Sequence, residues 1–558
     1  MNRILTAFYS LRLSHILFSV KHLCILLFAL AVNTNFNLLN AQTIPSIEWQ
    51  KTFGGQYDDS ALCIEQTTDG GYIIAGSSES NNGDVSGNHG HSDFWIVKLD
   101  LAGSLLWQKS LGGGYNESSW SIQQTTDGGY IVVGNSISND GDVSGNHPDG
   151  NGYYSYDYWI VKLDSGGNMM WQECLGGGDE DHAFSVQQTT DNGFIIAGYA
   201  TSTDGDVIGN HNSTGDYWVV KLSESGMMEW QKCLGGYSAD IGYCIYQTTD
   251  GGYVVAGSSH SDDGDVTENH PADNGSNTYD YWITRLDTSG NLLWQKSFGG
   301  SDDEEAISIQ QISDGSFIVA GYSESNDGDV SDNYGLRDFW VIKIDTAGSL
   351  LWQKSLGGSE YEVAFSIRQT SDGGFIIAGY TSSEDGQVSD NQGGYDIWIV
   401  KLNMSGNLVW QKCLGGTGYD SAHSIRETTD GGYIIAGNST SIDGDVSGNQ
   451  GEKDFWIVKL TSDLSTGLES TYSNSFSIYP NPVQAQLIIN LTSFSDDITI
   501  SIYDLAGRIQ YFGSYVSDLG FNNSFQLNIE NLADRFYTIQ ITNNKTGECE
   551  VRKFVKMK

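Results

Sequence analysis

Seven near-copies of one acidic segment carry most of the side chains in this sequence that could do chemistry. "NDGDVSGNH" (139–147) is the fullest, and its relatives are "NNGDVSGNH", "TDGDVIGNH", "DDGDVTENH", "NDGDVSDNY", "EDGQVSDNQ" and "IDGDVSGNQ". Asp140, Asp142 and Ser144 alternate as oxygen donors, and Gly145 stands where a sharp turn would bring them around one point. A hard cation such as calcium needs six or more oxygens placed in this way. The same positions recur as Asp204 and Asp206, Asp263 and Asp265, Asp327 and Asp329, and Asp443 and Asp445. These eleven residues are the candidate calcium ligands, and calcium is the one cofactor the sequence suggests. The copies are degenerate. Glu268, Asp332 and Asp390 replace the glycine, Gln387 replaces an aspartate, and Ile208 replaces the serine. The plainer alternative is a solvated turn in which Asp and Gly merely suit the backbone.

Two copies carry six further residues, "HPDGNGYYSY" (147–156) and "HPADNGSNTY" (270–279). Tyr153, Tyr154 and Tyr156 could stack on sugar faces there, with a self-packed loop as the alternative. Carboxylates are abundant enough to raise glycoside hydrolysis. Catalysis requires one asymmetric site, however, and nearly every acid has equivalents in the sister copies. His182, His423, Trp120 and Arg337 break the repeat without forming a recognisable triad or metal motif. The chain is therefore expected not to be an enzyme. His89, His147, His211 and His270 each follow an Asn and read as hydrogen-bonders of the loops before metal ligands.

The elements that position these loops follow from the repeat. One tryptophan series runs Trp49, Trp107, Trp171, Trp230, Trp294, Trp352 and Trp410, and a second runs Trp95, Trp159, Trp218, Trp282, Trp340, Trp398 and Trp456. Each unit has four short strand signals, here "SIQQTT", "YIVVG", "DYWIVKLD" and "MMWQECLGG", separated by "DGG", the acidic loop and a "DSGGN" turn. No helical periodicity of useful length appears. Seven such units predict an all-β seven-bladed β-propeller with four-stranded blades over residues 42–461. The segment "IEWQKTFGG" (47–55) precedes any complete unit, and the last unit stops at "DFWIVKL" (454–460). The N-terminal strand is thus expected to complete the seventh blade. Both the acidic loops and the linkers between blades should then share one rim, with the tight turns opposite.

Charge and cysteine usage narrow the setting. The net charge is −43, and residues 42–474 hold 62 acids against 17 bases. So negative a surface repels nucleic acid and anionic membranes. Cysteines 63, 174, 233, 244 and 413 replace small residues of the repeat, which predicts buried free thiols. Arg3, Arg12 and Lys21 flank the apolar run "LCILLFALAV", and "LLNAQ" offers a cleavage point after Ala41, so 1–41 reads as an export signal.

The strand "KLDxxGxLLWQKSLGG" resembles the signature of pyrroloquinoline-quinone-type propeller repeats, and residues 47–460 as a whole resemble secreted propeller repeats of bacteria and archaea. The first resemblance implies that the Trp107-type strand is outermost in its blade. After a linker (462–474), residues 475–558 resemble the C-terminal sorting domain of the type IX secretion system of the Bacteroidetes, a small β-sandwich. The matching positions are Tyr479, Pro480, Asn481, Pro482, Gly507, Arg508 and the Lys553–Lys556 segment, while Arg535 stands where the family usually has glycine. That resemblance implies passage through the periplasm and the outer membrane, with the type IX machinery as partner and attachment to surface lipopolysaccharide as one destination. The combined expectation is a monomeric, secreted or surface-displayed, non-catalytic binder of a glycan, protein or polymer. A calcium-stabilised adhesive scaffold is the first alternative, and a polysaccharide-active enzyme the second.

Overall fold

Four antiparallel strands make each unit. In the second they are Glu117–Gln124, Tyr130–Ser136, Asp157–Leu163 and Met169–Leu175, paired in that order. The computed structural model describes residues 43–463 apart from 212, 213 and 273. In the C-terminal part it describes 476–479, 483–491, 498–503, 508–515, 524–533, 535–543 and 549–556. The expected export signal and most of the expected linker lie outside the described residues. Among those described, no helix is long and apolar enough to cross a membrane.

Six sheets repeat this order, and the seventh consists of Asp420–Glu427, Tyr433–Ser439, Asp454–Leu460 and the N-terminal strand Ile47–Phe53. Thr52 sits opposite Trp456 and Phe53 opposite Phe455, so the two ends of the propeller share one sheet, as the sequence predicted. Gln42–Asp463 forms one compact unit, two residues beyond the boundary expected at 461.

The blades are held face to face by the third strand, of which all seven residues are buried. Its tryptophan reaches the preceding blade, with the Trp159 ring 4.5 Å from Phe94. Its indole N–H donates to Gln172 Oε1 at 2.8 Å, which satisfies the one polar atom of that ring. The Trp107-type ring of the outermost strand covers the next blade instead. It lies against Gly167, a positive-φ turn glycine whose missing Cβ would come within 2.8 Å of the ring. Both tryptophan series are thus packing residues. A continuous core runs from the last blade to the first, joining Ile434, Phe455 and Ile457 to Ile74, Trp95 and Val97.

A ring of side-chain hydrogen bonds locks the inner strands. The glutamine ending six of them, and Glu427 in the seventh blade, accepts from the turn of the preceding blade, as Gln188 Oε1 does from Thr126 N at 2.8 Å. Gln66 Oε1 accepts from Thr429 N at 2.9 Å and closes this ring across the chain ends. The five described propeller cysteines are free thiols.

The C-terminal unit is described by itself. A three-stranded sheet (Phe476–Tyr479, Gln486–Leu491, Ser524–Asn528) and a four-stranded one (Ile498–Tyr503, Ile509–Tyr515, Arg535–Asn543, Cys549–Lys556) share one core that includes Leu487, Ile489, Ile500, Ile539 and Phe554. Alternation of apolar residues along each strand supplies that core.

Candidate functional site: rim and central channel

Each donor of the acidic loops has a different partner. Asp140 Oδ1 accepts from Gly114 N at 2.7 Å, in the linker between blades one and two. Asp204, Asp263, Asp327 and Asp443 do the same for the N–H groups of Gly178, Tyr237, Ser301 and Thr417. In the first blade Asn82 occupies this place and accepts from Gln56 N at 2.9 Å, so the staple works without a charge. Asp142, Asp206, Asp265, Asp329 and Asp445 place Oδ2 3.4 Å from the nitrogens of the linker glycines 112, 176, 235, 299 and 415. Ser144 Oγ accepts from Gln172 Nε2 at 2.7 Å. Among the described residues, no group of three or more His, Cys, Asp and Glu side chains is placed to hold a metal ion. The loop glycine is a backbone requirement: Gly145 has φ +96°, and Glu268 and Asp390 adopt φ +70° and +68° in its place.

Two predictions follow from these staples. Asp327→Asn is expected to leave the melting temperature unchanged, whereas Asp327→Ala lowers stability by about 1 kcal/mol through the lost bond. Excess calcium is expected to give no rise over chelator. A saturable, calcium-specific rise of several degrees would return the loops to the metal reading.

Two of the histidines after the loops, His89 and His147, bridge neighbouring blades. His147 Nδ1 lies 2.7 Å from Asp157 Oδ2 of its own blade, and Nε2 lies 3.7 Å from Asp206 of the next. The hydrogen bond to Asp157 raises the His147 pKa. Gln392 and Gln450 make the corresponding bridge as neutral donors, to Asp445 at 2.9 Å and Asp84 at 2.8 Å.

Beneath the rim lies a second set of acids. The first residue of every third strand and the first residue of the next blade's inner strand are carboxylic acids with no exposed surface: Asp93 with Glu117, Asp157 with Asp181, and so on around the ring. A linker glycine separates each pair. A Cβ on Gly112 would stand 2.6 Å from both Asp93 Oδ1 and Glu117 Oε2. Burial, with the neighbouring acid adding to it, pushes Asp181, Asp240, Glu304 and Asp338 up to about 7. In the same way Asp280, Asp396 and Asp454 reach about 6. Such acids are held protonated in part by the fold and are closed to any substrate.

The opposite face carries aspartates too, and those of the "DGG" turns each have a cation. Lys162 from the third strand lies 2.9 Å from Asp127, Lys401 2.8 Å from Asp372, and Lys343 2.7 Å from Asp314. Burial opposes the charge of Asp127, yet Thr125 and Lys162 pull it down to about 2. The "DGG" turns are therefore compensated, whereas Asp100, Asp164, Asp287 and Asp345 of the second tight turn are held by backbone N–H groups instead.

The inner strands surround a central channel. Each has a β-bulge after its third residue, between Ala183 and Ser185 in the third blade, and the bulged residue is turned toward the axis. These residues are Leu62, Trp120, Phe184, Tyr243, Ile307, Phe365 and His423, and all seven line one cavity of about 480 Å³ together with His182 and Glu305. Trp120 meets Phe184 edge-on at 5.0 Å, Phe184 lies 5.4 Å from Tyr243, and Phe365 lies 4.7 Å from His423. Burial drives the His423 pKa down to about 4 and lowers that of His182, so both imidazoles are neutral at pH 7. A narrower chamber of about 150 Å³ continues the channel and is lined by Glu65, Gln123, Gln187, Tyr246, Gln310, Arg368 and Arg426.

Three of the four symmetry-breaking residues, Trp120, His182 and His423, thus converge on this channel. The fourth, Arg337, lies over the Tyr322 ring at 4.4 Å and pairs with Glu324 at 2.7 Å. The tyrosines of the insertion do not form one platform. Tyr153 is 75% exposed, Tyr154 accepts a hydrogen bond from Asn139, and Tyr156 packs on His182 at 5.0 Å. The bulge position varies from unit to unit, as do the second and seventh positions of the same strand. That variation is the signal by which the collar could have been found.

In the C-terminal unit, Tyr479 ends a strand and pairs with Ile488, Lys553 pairs with Thr538, and Lys556 is buried and pairs with Arg535. Arg535 therefore enters the strand despite replacing the expected glycine. Arg508 is exposed. Pro480, Asn481, Pro482 and Gly507 lie outside the described residues.

Comparison with known proteins places the two units differently. Regulatory protein FlaEY of Caulobacter vibrioides is 28% identical over 200 residues, which is 33% of this chain and only 20% of that protein. Among solved structures, PorZ, described as an essential surface component of the type IX secretion system of Porphyromonas gingivalis, aligns over 87% of this chain and 68% of its own. Its identity is 10% and its TM-score 0.26. A puromycin hydrolase aligns over 81% of this chain and 62% of its own at 12% identity and a TM-score of 0.38. At these scores neither structure carries a functional argument. Residues 477–557, by contrast, match the model of the secretion system C-terminal sorting domain. This chain is accordingly a seven-bladed β-propeller that carries a type IX sorting domain, a tail that implies export to the outer surface or beyond.

Proposed function

We propose that the propeller is a non-catalytic receptor that takes a saccharide into its central channel at or beyond the cell surface. The observation that carries this reading is the collar itself. The bulge residues, which differ from unit to unit, all line the 480 Å³ cavity, and Trp120, Phe184, Tyr243 and Phe365 give it four aromatic rings. Its size falls in the range of small-ligand sites. Aromatic faces beside polar groups suit a sugar ring, which presents both C–H surface and hydroxyls.

The carboxylates support binding over hydrolysis. Glycosidic cleavage takes two acids on either side of the bond. Glu305 is the one acid lining the collar, where Tyr243 donates to it at 3.3 Å. The paired acids between blades are fully buried and repeated around the ring.

The test is calorimetric titration of the full chain with neutral and acidic oligosaccharides. Trp120→Ala or Phe365→Ala is expected to weaken binding about tenfold, the loss of one stacking contact of roughly 1.4 kcal/mol. Binding that ignores both substitutions would refute the channel as the site.

A further inference from the structure

The narrow chamber departs from the repeat at a recognisable cost. Its lining residue is the seventh of each inner strand, and in most blades it is an acceptor that stitches the next blade. Gln123 Oε1 accepts from Gln188 N at 2.5 Å, Gln187 Oε1 from Gln247 N at 2.6 Å, Gln310 Oε1 from Gln369 N at 3.0 Å, and Glu65 Oε2 from Gln124 N at 3.2 Å. Blades six and seven place Arg368 and Arg426 there. A guanidinium has no acceptor, so both stitches are given up. In exchange, two like charges stand side by side in a half-buried chamber.

Those charges are compensated only in part within the fold, by Glu65, which lies within electrostatic reach of both. Among the described residues neither arginine forms an ion pair, and the hydrogen bonds they donate all leave from Nη1. Arg368 donates to Ser308 Oγ at 3.1 Å and Ile367 O at 2.6 Å, and Arg426 to Ser424 Oγ at 3.2 Å and Ile425 O at 2.9 Å. The other propeller arginines do have carboxylates: Arg285 pairs with Asp250 and Arg337 with Glu324. Glu65 is the one acid lining the chamber, against two cations, and it already accepts a backbone N–H. In a chain of net charge −43, a chamber with two cations against one acid is the reverse of what composition alone would produce. Burial and the neighbouring Arg426 push the Arg368 pKa down to about 10, which agrees with two cations left facing each other.

We infer that Arg368 and Arg426 hold the carboxylate of an acidic sugar whose ring lies against the aromatic collar, so that the channel selects uronate-type saccharides. The two chambers share Cys63, Ser121, Ser185, Cys244 and both arginines, so one guest can span them. Two guanidiniums offer the planar, forked donors that a carboxylate accepts best. The chamber lies toward the "DGG" ends of the inner strands, where each turn aspartate is paired with a cation, so an anion approaching there meets the weaker repulsion.

This inference rests on the saccharide reading above, and the experiment separates the two. The full chain is titrated with tri-galacturonate, with neutral galactotriose and with inorganic phosphate, before and after Arg368→Gln/Arg426→Gln. Wild type is expected to bind tri-galacturonate at least tenfold more tightly than galactotriose, with an affinity that falls as salt rises. The double variant should lose that preference yet keep galactotriose binding. Its melting temperature should hold or rise, because glutamine restores the stitch found in the sister blades. Equal affinity for the two sugars, or a preference that survives in the variant, overturns the inference and leaves the saccharide reading standing. Phosphate binding as tight as tri-galacturonate overturns the sugar-acid assignment in favour of a bare anion site. Binding of neither sugar overturns both readings.

Discussion

Deleting residues 42–53 is expected to abolish the cooperative melting of the propeller and leave mostly aggregated protein. Ile47–Phe53 is the outermost strand of the seventh blade, and its partner strand Asp454–Leu460 is buried at every position. Removal would uncover that strand edge, strip the Trp49 and Phe53 rings from the core joining blades seven and one, and break the bond from Trp456 Nε1 to Gln50 Oε1. At about 2–3 kcal/mol for each buried ring, plus the ladder bonds, the loss is comparable to the whole net stability of a typical domain. An exposed apolar strand edge is also a template for aggregation. The control is to graft residues 47–53 after Leu460 through a copy of the turn "DTSGN" (287–291), which would rebuild the hairpin found in the other six blades. Recovery of the wild-type melting temperature by the graft would show that position in the ring, not chain order, is what matters. A deletion variant that melts like wild type would refute closure by this strand.

The second large effect is on pH. An acid whose pKa is raised in the folded state favours the folded protein while protonated. That stabilisation is complete below the ordinary carboxyl value near 4 and is lost as pH rises through the folded value. Asp181, Asp240, Glu304 and Asp338 are held at about 7, and Asp280, Asp396 and Asp454 at about 6, so the loss falls between pH 4 and pH 7. His147 and His270, raised first by their hydrogen bonds to Asp157 and Asp280, act in the same direction. The cation-paired aspartates act oppositely at the acid end. Asp127 and Asp314, pulled down to about 2 against burial by their hydrogen bonds and by Lys162 and Lys343, lose their contribution as pH falls below 4. Stability should therefore peak near pH 4–5. At roughly 1 kcal/mol for each of the seven interfaces, the melting temperature at pH 8 should lie about 10 °C below that maximum. Scanning calorimetry from pH 3 to pH 9 measures this, and Asp181→Asn should flatten part of the slope. A profile that is level, or that rises toward pH 8, would mean that the carboxyl pairs are neutralised in some other way.

The acid pairs also change what the composition means. Fourteen of the propeller's acids have no exposed surface at all, and those of the "DGG" turns are matched by lysine or arginine. The surface that remains strongly negative is the loop rim. The long-range field of the molecule is thus more one-sided than −43 spread evenly would be, and a guest sees different charges at the two mouths of the channel.

The repeat by itself determined the fold. Fourteen tryptophans at fixed spacing, four strand signals per unit and a partial unit at each end leave little besides a ring of seven four-stranded blades with a shared last sheet, because each unit alone cannot bury its faces. The tail was equally legible, since its turn and strand motifs are local. The roles of single residues were not. Asp140 and Asp142 look like ligands in one dimension because oxygen spacing resembles coordination. Only the approach of the neighbouring linker in space turns Asp140 into a backbone staple. Asp157 and Asp181 are 24 residues apart and belong to different blades, so their pairing across Gly176 is invisible until the sheets pack. Arg368 and Arg426 read as ordinary polar positions of a half-buried strand. Closure of the ring brings them together around one axis, with one carboxylate to share. Periodicity is a property of the chain and survives in the sequence. Convergence is a property of the closed ring, and only the tertiary structure decides which side chains meet there.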